Sequence, residues 1–170
     1  YGPDPDTDGS LPDDSQKGPV GADQSSDPVF ALSTARSRPE LKLQDGCNNG
    51  CAYCVIPLAR GRSRSAQPES IIRAMRALDR EGFAEVVMTG IHLGRYGHDL
   101  QPKLELAEML ARILDATQHV RLRLSSIEPN ELTPTLLALW QSYPGRLCPH
   151  LHLPLQSGSD DVLRLMGRRY

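Results

Sequence analysis

The sequence predicts an α/β fold built on a parallel sheet, with about four strand–helix units between residues 37 and 170. Short apolar segments typical of buried strands alternate with longer segments whose apolar residues recur every three or four positions, as on one face of a helix. Cysteine-rich and polar clusters also follow the strands directly, at the sheet edge where parallel α/β folds gather their reactive groups. We therefore expect right-handed strand–helix–strand connections and one shared site at that edge.

The first two strand–helix units are predicted between residues 41 and 116. Residues 41–44 alternate apolar and polar side chains as a short strand does, and they lead directly into a cysteine-rich loop. Pro68 suits the first position of the following helix, which we expect to end at Gly82. The nearly continuous apolar run at residues 85–90 predicts a buried parallel strand. The second helix is predicted from about residue 103 to residue 116.

The last two units are predicted between residues 120 and 170. Residues 120–124 alternate leucine or valine with arginine and predict a third strand. Thr133 can cap the third helix, with Pro134 at its first position. Residues 151–153 are predicted to form a fourth strand. Ser159 is expected to cap the final helix. The two aspartates that follow it are stabilised by the positive end of the helix dipole.

The first 36 residues differ in composition from the rest. The whole chain has 19 basic and 21 acidic residues, a net charge of -2, but residues 1–28 hold seven aspartates against one lysine, which leaves the remainder basic. This proline- and glycine-rich segment offers few apolar side chains to offset about 1–2 kcal/mol of backbone ordering entropy per residue. We expect residues 1–36 to be a disordered acidic linker, with an acidic interaction tail as the alternative, and residues 37–170 to be the folded domain.

Two protein classes are excluded by the hydropathy pattern. Every apolar stretch is too short to span a bilayer. The N-terminal residues show no basic region followed by an apolar core, so a secretory signal peptide is not predicted. We therefore expect no membrane association and a cytoplasmic location, where stable disulfides are rare.

Three of the four cysteines fall within eight residues, with the spacing C-x3-C-x2-C: Cys47, Cys51 and Cys54. Three thiols cannot all form disulfides with one another, but a loop rich in glycine and asparagine can bring them to one centre. A structural zinc site would need a fourth ligand, and no second cysteine pair exists, although Cys148, His150 or His152 could complete one. Closely spaced thiolates are typical of iron–sulfur clusters, and three of them leave one iron of a four-iron cluster open. We favour the iron–sulfur centre.

The cysteine loop resembles that of a known family. Its triad, with the aromatic residue Tyr53 before the last cysteine, is similar to that of the radical S-adenosylmethionine enzymes. The resemblance implies a partial (β/α) radical S-adenosylmethionine barrel, with a 4Fe-4S cluster on the three cysteines and S-adenosylmethionine on the fourth iron. It also implies that the reduced cluster cleaves S-adenosylmethionine to a 5′-deoxyadenosyl radical, which abstracts a hydrogen atom from the substrate.

Four further blocks resemble the methylthiotransferases of this family: residues 55–65, 89–94, 124–129 and 152–159. Thr-Gly-Ile-His-Leu-Gly at residues 89–94 and Ile-Glu-Pro at residues 127–129 favour the branch that acts on threonylcarbamoyladenosine in tRNA. The resemblance thus implies addition of a methylthio group to carbon 2 of that nucleoside, next to the anticodon. The alternatives are the isopentenyladenosine and ribosomal-protein branches, a radical enzyme with another substrate, and a zinc-bearing RNA-binding module.

Eight residues are implied by the resemblance to contact S-adenosylmethionine: Tyr53, Thr89, Gly90, Ser125, Ser126, Glu128, Gln156 and Ser157. A turn or strand-end role is the structural alternative for these positions. Three arginines beside the cysteines, expected on one side of an extended loop, either bind RNA phosphates or form a solvated surface: Arg60, Arg62 and Arg64. The five histidines lack metal-ligand spacing and are expected to be polar surface or strand residues, and Cys148 a small buried residue.

The resemblance also implies partners beyond this sequence. These are a tRNA substrate, an electron donor for the cluster, an N-terminal domain with a second cluster and a C-terminal RNA-binding domain. Four strand–helix units are also fewer than the family's barrel contains. We therefore expect the chain to be part of a larger enzyme and to be incomplete for full turnover by itself.

Overall fold

The computed structural model describes residues 31–34 and 37–170, which form a five-stranded mixed sheet with helices packed against it. The strands are β1 (Ala31–Ser33), β2 (Glu40–Asp45), β3 (Arg64–Ser65), β4 (Glu85–Gly90) and β5 (Arg121–Leu124). The α-helices are α1 (Ile56–Arg60), α2 (Pro68–Arg80), α3 (Leu106–Ala116), α4 (Pro134–Ser142) and α5 (Asp160–Leu165). Two single 3-10 turns lie at Leu93–Arg95 and Pro129–Glu131.

The centre of the sheet is parallel, as predicted. β2 pairs with β4 and β4 with β5, both in parallel, in the order β1-β2-β4-β5. Two strands that the sequence did not predict, β1 and β3, pair with β2 in antiparallel fashion. β1 lies within the segment 1–36 that we expected to be disordered, so that expectation is wrong for residues 31–33. In the same segment, residues 1–30, 35 and 36 lie outside the part of the chain that the structure describes.

The predicted fourth strand does not form a ladder. Within residues 151–153, only His152 pairs with the sheet, through a single parallel bridge to Ser126 next to β5. Pro149 and Pro154 flank this segment, and because proline has no amide hydrogen it interrupts the donors that a ladder requires. The chain therefore runs beside β5 with one bridge in place of a strand.

Helix starts follow the predicted capping pattern at α4 but not at α5. Thr133 caps α4, since its Oγ1 accepts a hydrogen bond from the Leu136 amide at 3.2 Å. Ser159 occupies the position before α5, but its hydroxyl makes no capping hydrogen bond, so that prediction is wrong. Its amide instead donates to Ser157 Oγ at 3.1 Å, which closes a local turn before the helix.

The core lies between the sheet and helices α2, α3 and α4. The predicted apolar stripes of α2 and α3 are confirmed, and their largest members are fully buried with the inward side chains of the strands: Leu41, Leu43, Ile71, Met75, Leu78, Met88, Leu110, Ile113 and Leu122. Full burial of such a side chain stabilises the fold by about 1.5–3 kcal/mol. This packing fixes the carboxyl ends of β2, β4 and β5 side by side. Among the described residues, none of the helices is long and apolar enough to cross a bilayer.

A buried carboxylate holds the opposite, amino edge of the sheet. Glu85 begins β4 and is 5% exposed, and its oxygens accept hydrogen bonds from Arg121 Nη2 at 2.8 Å, Arg123 Nε at 2.7 Å and Arg38 Nη1 at 3.3 Å. Burial alone would raise the pKa of Glu85, but the hydrogen bonds and charges of the arginines lower it from 4.5 to about 2. Glu85 therefore stays ionised and joins the start of β4 to β5.

Candidate functional site

The three clustered cysteines follow β2 and line one cavity of about 150 Å³ as free thiols of intermediate burial. The loop that carries them closes on itself at its base, where the Cys47 amide donates to Gly61 O at 3.1 Å. Gly46 has a φ of 69°, and a Cβ at this position would lie 2.1 Å from Arg62 O. Only glycine therefore fits at residue 46, directly before the first cysteine.

Gln44 joins the cysteine loop to the end of the neighbouring strand β4. Its side chain is fully buried, and Nε2 donates to Gly46 O at 2.7 Å and to Ser63 Oγ at 2.8 Å. Its Oε1 accepts a hydrogen bond from the His92 amide at 2.7 Å. The sequence shows only a polar residue at the end of a predicted strand, and the burial of Gln44 is visible only in the structure. The side-chain amide of Gln44 therefore fixes the position of the cysteine loop relative to His92.

His92 is buried and lies against the first cysteine, so the expectation of a polar surface or strand histidine is wrong for this residue. It is 8% exposed, and its Nδ1 lies 3.5 Å from Cys47 Sγ. Its Nε2 lies 2.6 Å from Glu131 Oε1 and 3.7 Å from Glu128 Oε2. The first pair is close but not aligned for a hydrogen bond, since both atoms lack a partner of acceptable geometry among the described residues.

The ligand atoms of His92, Glu128 and Glu131 lie within 4.8 Å of one another, a spacing that a metal ion could bridge. The carboxylates already face cations, because Arg168 binds Glu128 and Arg95 Nε lies 3.4 Å from Glu131 Oε1. Because the carboxylates are already paired with arginines, we assign no metal ion to this group.

Arg168 closes the cavity from the far end of the chain. Its guanidinium donates to Tyr53 Oη, with Nε 3.0 Å away, and also to Glu128 Oε1. It stacks 5.6 Å from the centres of the Tyr53 and Tyr170 rings. The Ala52 amide also donates to Met166 O at 3.0 Å, so the cysteine loop is docked on the end of α5. No motif in the sequence marks Arg168, whose partners Tyr53 and Glu128 lie 115 and 40 positions away in the chain.

The eight residues implied to contact S-adenosylmethionine are only partly brought together. Tyr53, Ser126 and Glu128 line the cysteine cavity. Ser125 precedes Ser126 in the chain but does not line the cavity, and its Oγ is buried with no hydrogen-bond partner among the described residues. The others are not among the residues that line this cavity: Thr89, Gly90, Gln156 and Ser157.

Each of these four residues has a structural setting of its own. Thr89 and Gly90 end β4, where a Cβ on Gly90 would meet Gln44 Cβ and Leu93 Cα at 3.2 Å. Gln156 is exposed and has a φ of 63°. Ser157 Oγ accepts the amide hydrogen of Ser159. A turn role thus explains Gln156 and Ser157.

The three arginines do not lie on one side of an extended loop, so that expectation is wrong. Residues 56–60 form α1, which ends at Arg60 before Gly61, whereas Arg64 begins β3. Arg60 Nη1 lies 3.6 Å from Asp45 Oδ1. Burial alone would raise the pKa of Asp45, but the Gly46 amide, Lys42 and Arg60 together lower it. Arg60 therefore has a structural partner, while Arg62 and Arg64 are exposed beside the cysteine loop.

The surroundings of the thiols fit a metal cluster. Burial raises the pKa of Cys47, and Cys51, Cys54 and Glu128 raise it further, against the lowering effect of the Asn49 amide 3.3 Å from the sulfur. Metal binding replaces such a proton, because the ligand is the thiolate. Three thiols on one cavity match the ligand set of a site-open iron–sulfur cluster. Ser126 and Glu128, which follow β5, line the same cavity and offer polar groups to a second ligand.

Comparison with known families agrees with this chemistry. A family profile described as the Radical SAM superfamily matches residues 41–170 of this chain. The chain belongs to the radical SAM superfamily. Its cysteine triad, the cavity and the three parallel strands, apart from the first residue of β2, lie within the matched residues.

Similar curated proteins of this superfamily are tRNA methylthiotransferases. The chain is 41% identical over 138 residues to the threonylcarbamoyladenosine tRNA methylthiotransferase MtaB of Bacillus subtilis, covering 81% of this chain and 30% of that protein. It is 42% identical over 125 residues to the tRNA-2-methylthio-N(6)-dimethylallyladenosine synthase of Dictyoglomus thermophilum, covering 74% of this chain and 28% of that protein. The chain thus spans about three tenths of the length of these relatives.

Among solved structures, the radical S-adenosylmethionine methyltransferase TsrM of Kitasatospora setae has a similar fold. The TM-score is 0.60 at 16% identity, and the match covers 77% of this chain and 26% of TsrM. This likeness confirms the predicted fold class, a partial radical SAM barrel. It extends the agreement from sequence motifs to the arrangement of strands and helices.

Proposed function

We propose that this chain is the radical S-adenosylmethionine core of a tRNA methylthiotransferase, a transferase. One observation carries the proposal: three free thiols from a single loop line one cavity together with polar side chains that follow β4 and β5. Identities of about 40% to curated methylthiotransferases support it.

In this proposal Cys47, Cys51 and Cys54 hold a 4Fe-4S cluster in the cavity, and S-adenosylmethionine binds next to the cluster, since about 150 Å³ is too small for both. When bound, the cluster supplies the electron for reductive cleavage of S-adenosylmethionine to the 5′-deoxyadenosyl radical. Tyr53 and Glu128, braced by Arg168, orient that cofactor, and the hydroxyls of Ser125 and Ser126 offer it further hydrogen bonds. Contacts from Thr89, Gly90, Gln156 and Ser157 remain predictions from the resemblance, since the cavity does not reach them.

Apolar side chains complete the proposed cofactor site. Ile56, Ile91, Ile127 and Pro154 share its walls with the thiols. Such walls lower the water content of the cavity, which protects a reactive radical from side reactions. The chain therefore contributes binding, orientation and exclusion of water.

For the substrate, we propose carbon 2 of threonylcarbamoyladenosine in tRNA. The blocks at residues 89–94 and 127–129 support this nucleoside, as do relatives at 41–43% identity that bear its name. Relatives named for the dimethylallyladenosine reaction are 38–42% identical, so the blocks rather than overall identity distinguish the two branches.

The complete reaction needs partners that we propose from the resemblance. They are an electron donor, an N-terminal domain with a second cluster and a C-terminal RNA-binding domain, acting together in the cytoplasm. Arg62 and Arg64, exposed beside the cysteine loop, would bind RNA phosphates. If so, changing both to alanine lowers the salt slope of tRNA binding by about one phosphate for each arginine. Arg112→Ala, on the α3 surface and paired with Glu108, should leave the slope unchanged.

Anaerobic reconstitution of the chain with iron and sulfide tests the proposed centre. We expect a brown protein with about four irons per chain, which converts S-adenosylmethionine to 5′-deoxyadenosine when reduced. Alanine at Cys47, Cys51 or Cys54 should abolish the cluster absorbance. Cys148→Ala is the matched control, since Cys148 is buried outside the cavity and should keep the cluster. A colourless protein holding one tight zinc would instead support the RNA-binding module.

Mass spectrometry of tRNA tests the substrate. A strain that lacks the full-length gene should lose the methylthio group from threonylcarbamoyladenosine and keep it on isopentenyladenosine. Loss from isopentenyladenosine alone would move the chain to the other branch. Unchanged tRNA together with loss of the methylthio group from a ribosomal protein would assign the chain to the ribosomal-protein branch.

A further inference from the structure

The sulfur of Cys47 has surroundings that the other two clustered sulfurs lack. It accepts a hydrogen bond from the Asn49 amide at 3.3 Å and lies 3.5 Å from His92 Nδ1. Across residues 37–170, no hydrogen bond reaches the sulfur of Cys51 or Cys54. The three proposed cluster ligands therefore have different hydrogen-bonding surroundings, a difference that their spacing in the sequence does not reveal.

We propose that His92 is a positioning residue that donates a hydrogen bond from Nδ1 to the Cys47 sulfur and thereby raises the reduction potential of the cluster. This inference rests on the cluster-binding part of the proposed function. A thiolate has no proton to donate, so the ring nitrogen that faces it must be the donor. Hydrogen bonds to cluster sulfurs are one of the factors that set the potential, because they withdraw charge from the iron centre.

The carboxylates behind the ring fix its orientation. His92 Nε2 faces Glu131 Oε1 at 2.6 Å and Glu128 Oε2 at 3.7 Å, so the nitrogen far from the sulfur points at negative charge. With Nδ1 as the donor to sulfur, a further proton must lie between Nε2 and Glu131 Oε1, because two unprotonated acceptors 2.6 Å apart would repel each other. His92 thus acts on the metal indirectly, through the sulfur of Cys47.

The backbone around His92 is built to keep this arrangement. The His92 amide donates to the fully buried Gln44, which also binds Gly46 O at the base of the cysteine loop. Glu131 is fixed in turn, since its Oε2 accepts the Glu128 amide at 3.2 Å within a reciprocal capping box.

Gly94 supplies an independent constraint on the same group. A Cβ at this position would lie 2.0 Å from Glu131 Oε2, so the carboxylate rests directly on the glycine backbone. The block that contains His92 and Gly94 is therefore shaped to receive Glu131. This fit explains why histidine and glycine stand two residues apart after β4, a pattern that strand-end geometry alone does not require.

Two isosteric substitutions in the reconstituted chain test the role of His92. The amide nitrogen of asparagine takes a place close to Nδ1 and that of glutamine a place close to Nε2. We expect His92→Asn to keep a midpoint potential near that of the wild type, measured by electron paramagnetic resonance during a redox titration. His92→Gln and His92→Leu should shift the potential to more negative values and change the spectrum of the reduced cluster. His150→Leu, at an exposed histidine, is the control.

The outcomes separate this inference from the proposed function. If the wild-type chain assembles no cluster, the proposed function fails. If it assembles one and the Asn and Gln variants have equal potentials, His92 has no specific contact with the sulfur and the inference is wrong. Should His92→Leu fail to load iron, the Asn and Gln pair still decides, because both keep a polar amide of similar size.

Discussion

The two edges of the sheet each bury carboxylates beside arginines, and they differ in how completely those carboxylates are paired. At the amino edge, three arginines satisfy Glu85. At the carboxyl edge, Glu128 binds Arg168, but Glu131 Oε1, His92 Nε2 and Ser125 Oγ are buried without an aligned partner among the described residues. A closed set of partners stabilises the strands, whereas an open set beside a cavity retains the capacity to bind a ligand.

The difference extends to the backbone. β4 and β5 begin in register at the Glu85 edge, where Glu85 pairs with Arg121 along the ladder. At the other edge the chain leaves the ladder, and hydrogen bonds from Gln44 to Gly46 O and from the Ala52 amide to Met166 O hold the cysteine loop. Changes at the carboxyl edge should therefore affect ligand binding more than folding, and changes at the amino edge should do the opposite.

The largest effect at the carboxyl edge is expected for Gly46→Ala. The added Cβ would lie 2.1 Å from Arg62 O on a backbone with a φ of 69°, so the cysteine loop cannot close as it does now. We expect the variant to lose most of its reconstituted cluster absorbance while its far-ultraviolet circular dichroism stays close to that of the wild type.

Gly50→Ala provides the matched control within the same loop. A Cβ at Gly50 meets no atom within 4 Å, and this glycine does not have a positive φ. The cluster should form normally in this variant. Equal cluster yields in the two alanine variants would show that the base of the loop does not depend on Gly46.

Glu85→Gln should have the next largest effect, on stability. A fall of the pKa from 4.5 to about 2 corresponds to about 3 kcal/mol of stabilisation. Because the folded-state pKa is the lower one, this stabilisation is present above pH 4.5 and is lost as the pH falls towards 2. Urea unfolding should show the variant less stable by about this amount at pH 7, with the difference shrinking below pH 4.5.

The same variant tests the contrast between the edges. Glu85 lies at the start of β4, and the proposed site lies beyond its end. Folded Glu85→Gln should therefore bind the cluster as the wild type does. If the variant lost its cluster while remaining folded, the two edges would be coupled.

Much of the fold could be predicted because apolar periodicity and burial agree. The parallel strands and helices α2, α3 and α4 lie at or near their predicted positions. β1 and β3 are three and two residues long, too short to show a pattern of alternation. Residues 151–153 do alternate, but flanking prolines remove the donors that pairing needs. The pattern of apolar residues therefore predicted the helices and strands that bury one face. It failed for strands whose formation depends on hydrogen bonds to backbone far away in the sequence.

The candidate site was predictable where a single segment carries the chemistry. The cysteine spacing placed three thiols at one centre, and the structure brings them to one cavity. His92 and Arg168 could not be identified in this way, because their roles arise from contacts with Glu131, Glu128 and Tyr53 across the fold. A lone histidine or arginine carries no spacing signal, and only the tertiary structure shows what it touches.

The smallest of the expected effects comes from loosening the carboxyl edge at Arg168. Arg168→Met keeps much of the side-chain volume but removes the hydrogen bonds to Tyr53 and Glu128, two proposed contacts of S-adenosylmethionine. Once unbraced, these side chains must be ordered again when the cofactor binds. We expect the affinity of the reconstituted chain for S-adenosylmethionine to fall about tenfold, or about 1.4 kcal/mol, in isothermal titration calorimetry. Arg164→Met is the control, since Arg164 lies on the same final segment and pairs only with the exposed Asp161 among the described residues. Equal affinities in the two variants would show that Arg168 closes the cavity without orienting its occupant, which would leave Ser125 and Ser126 as the residues to test next.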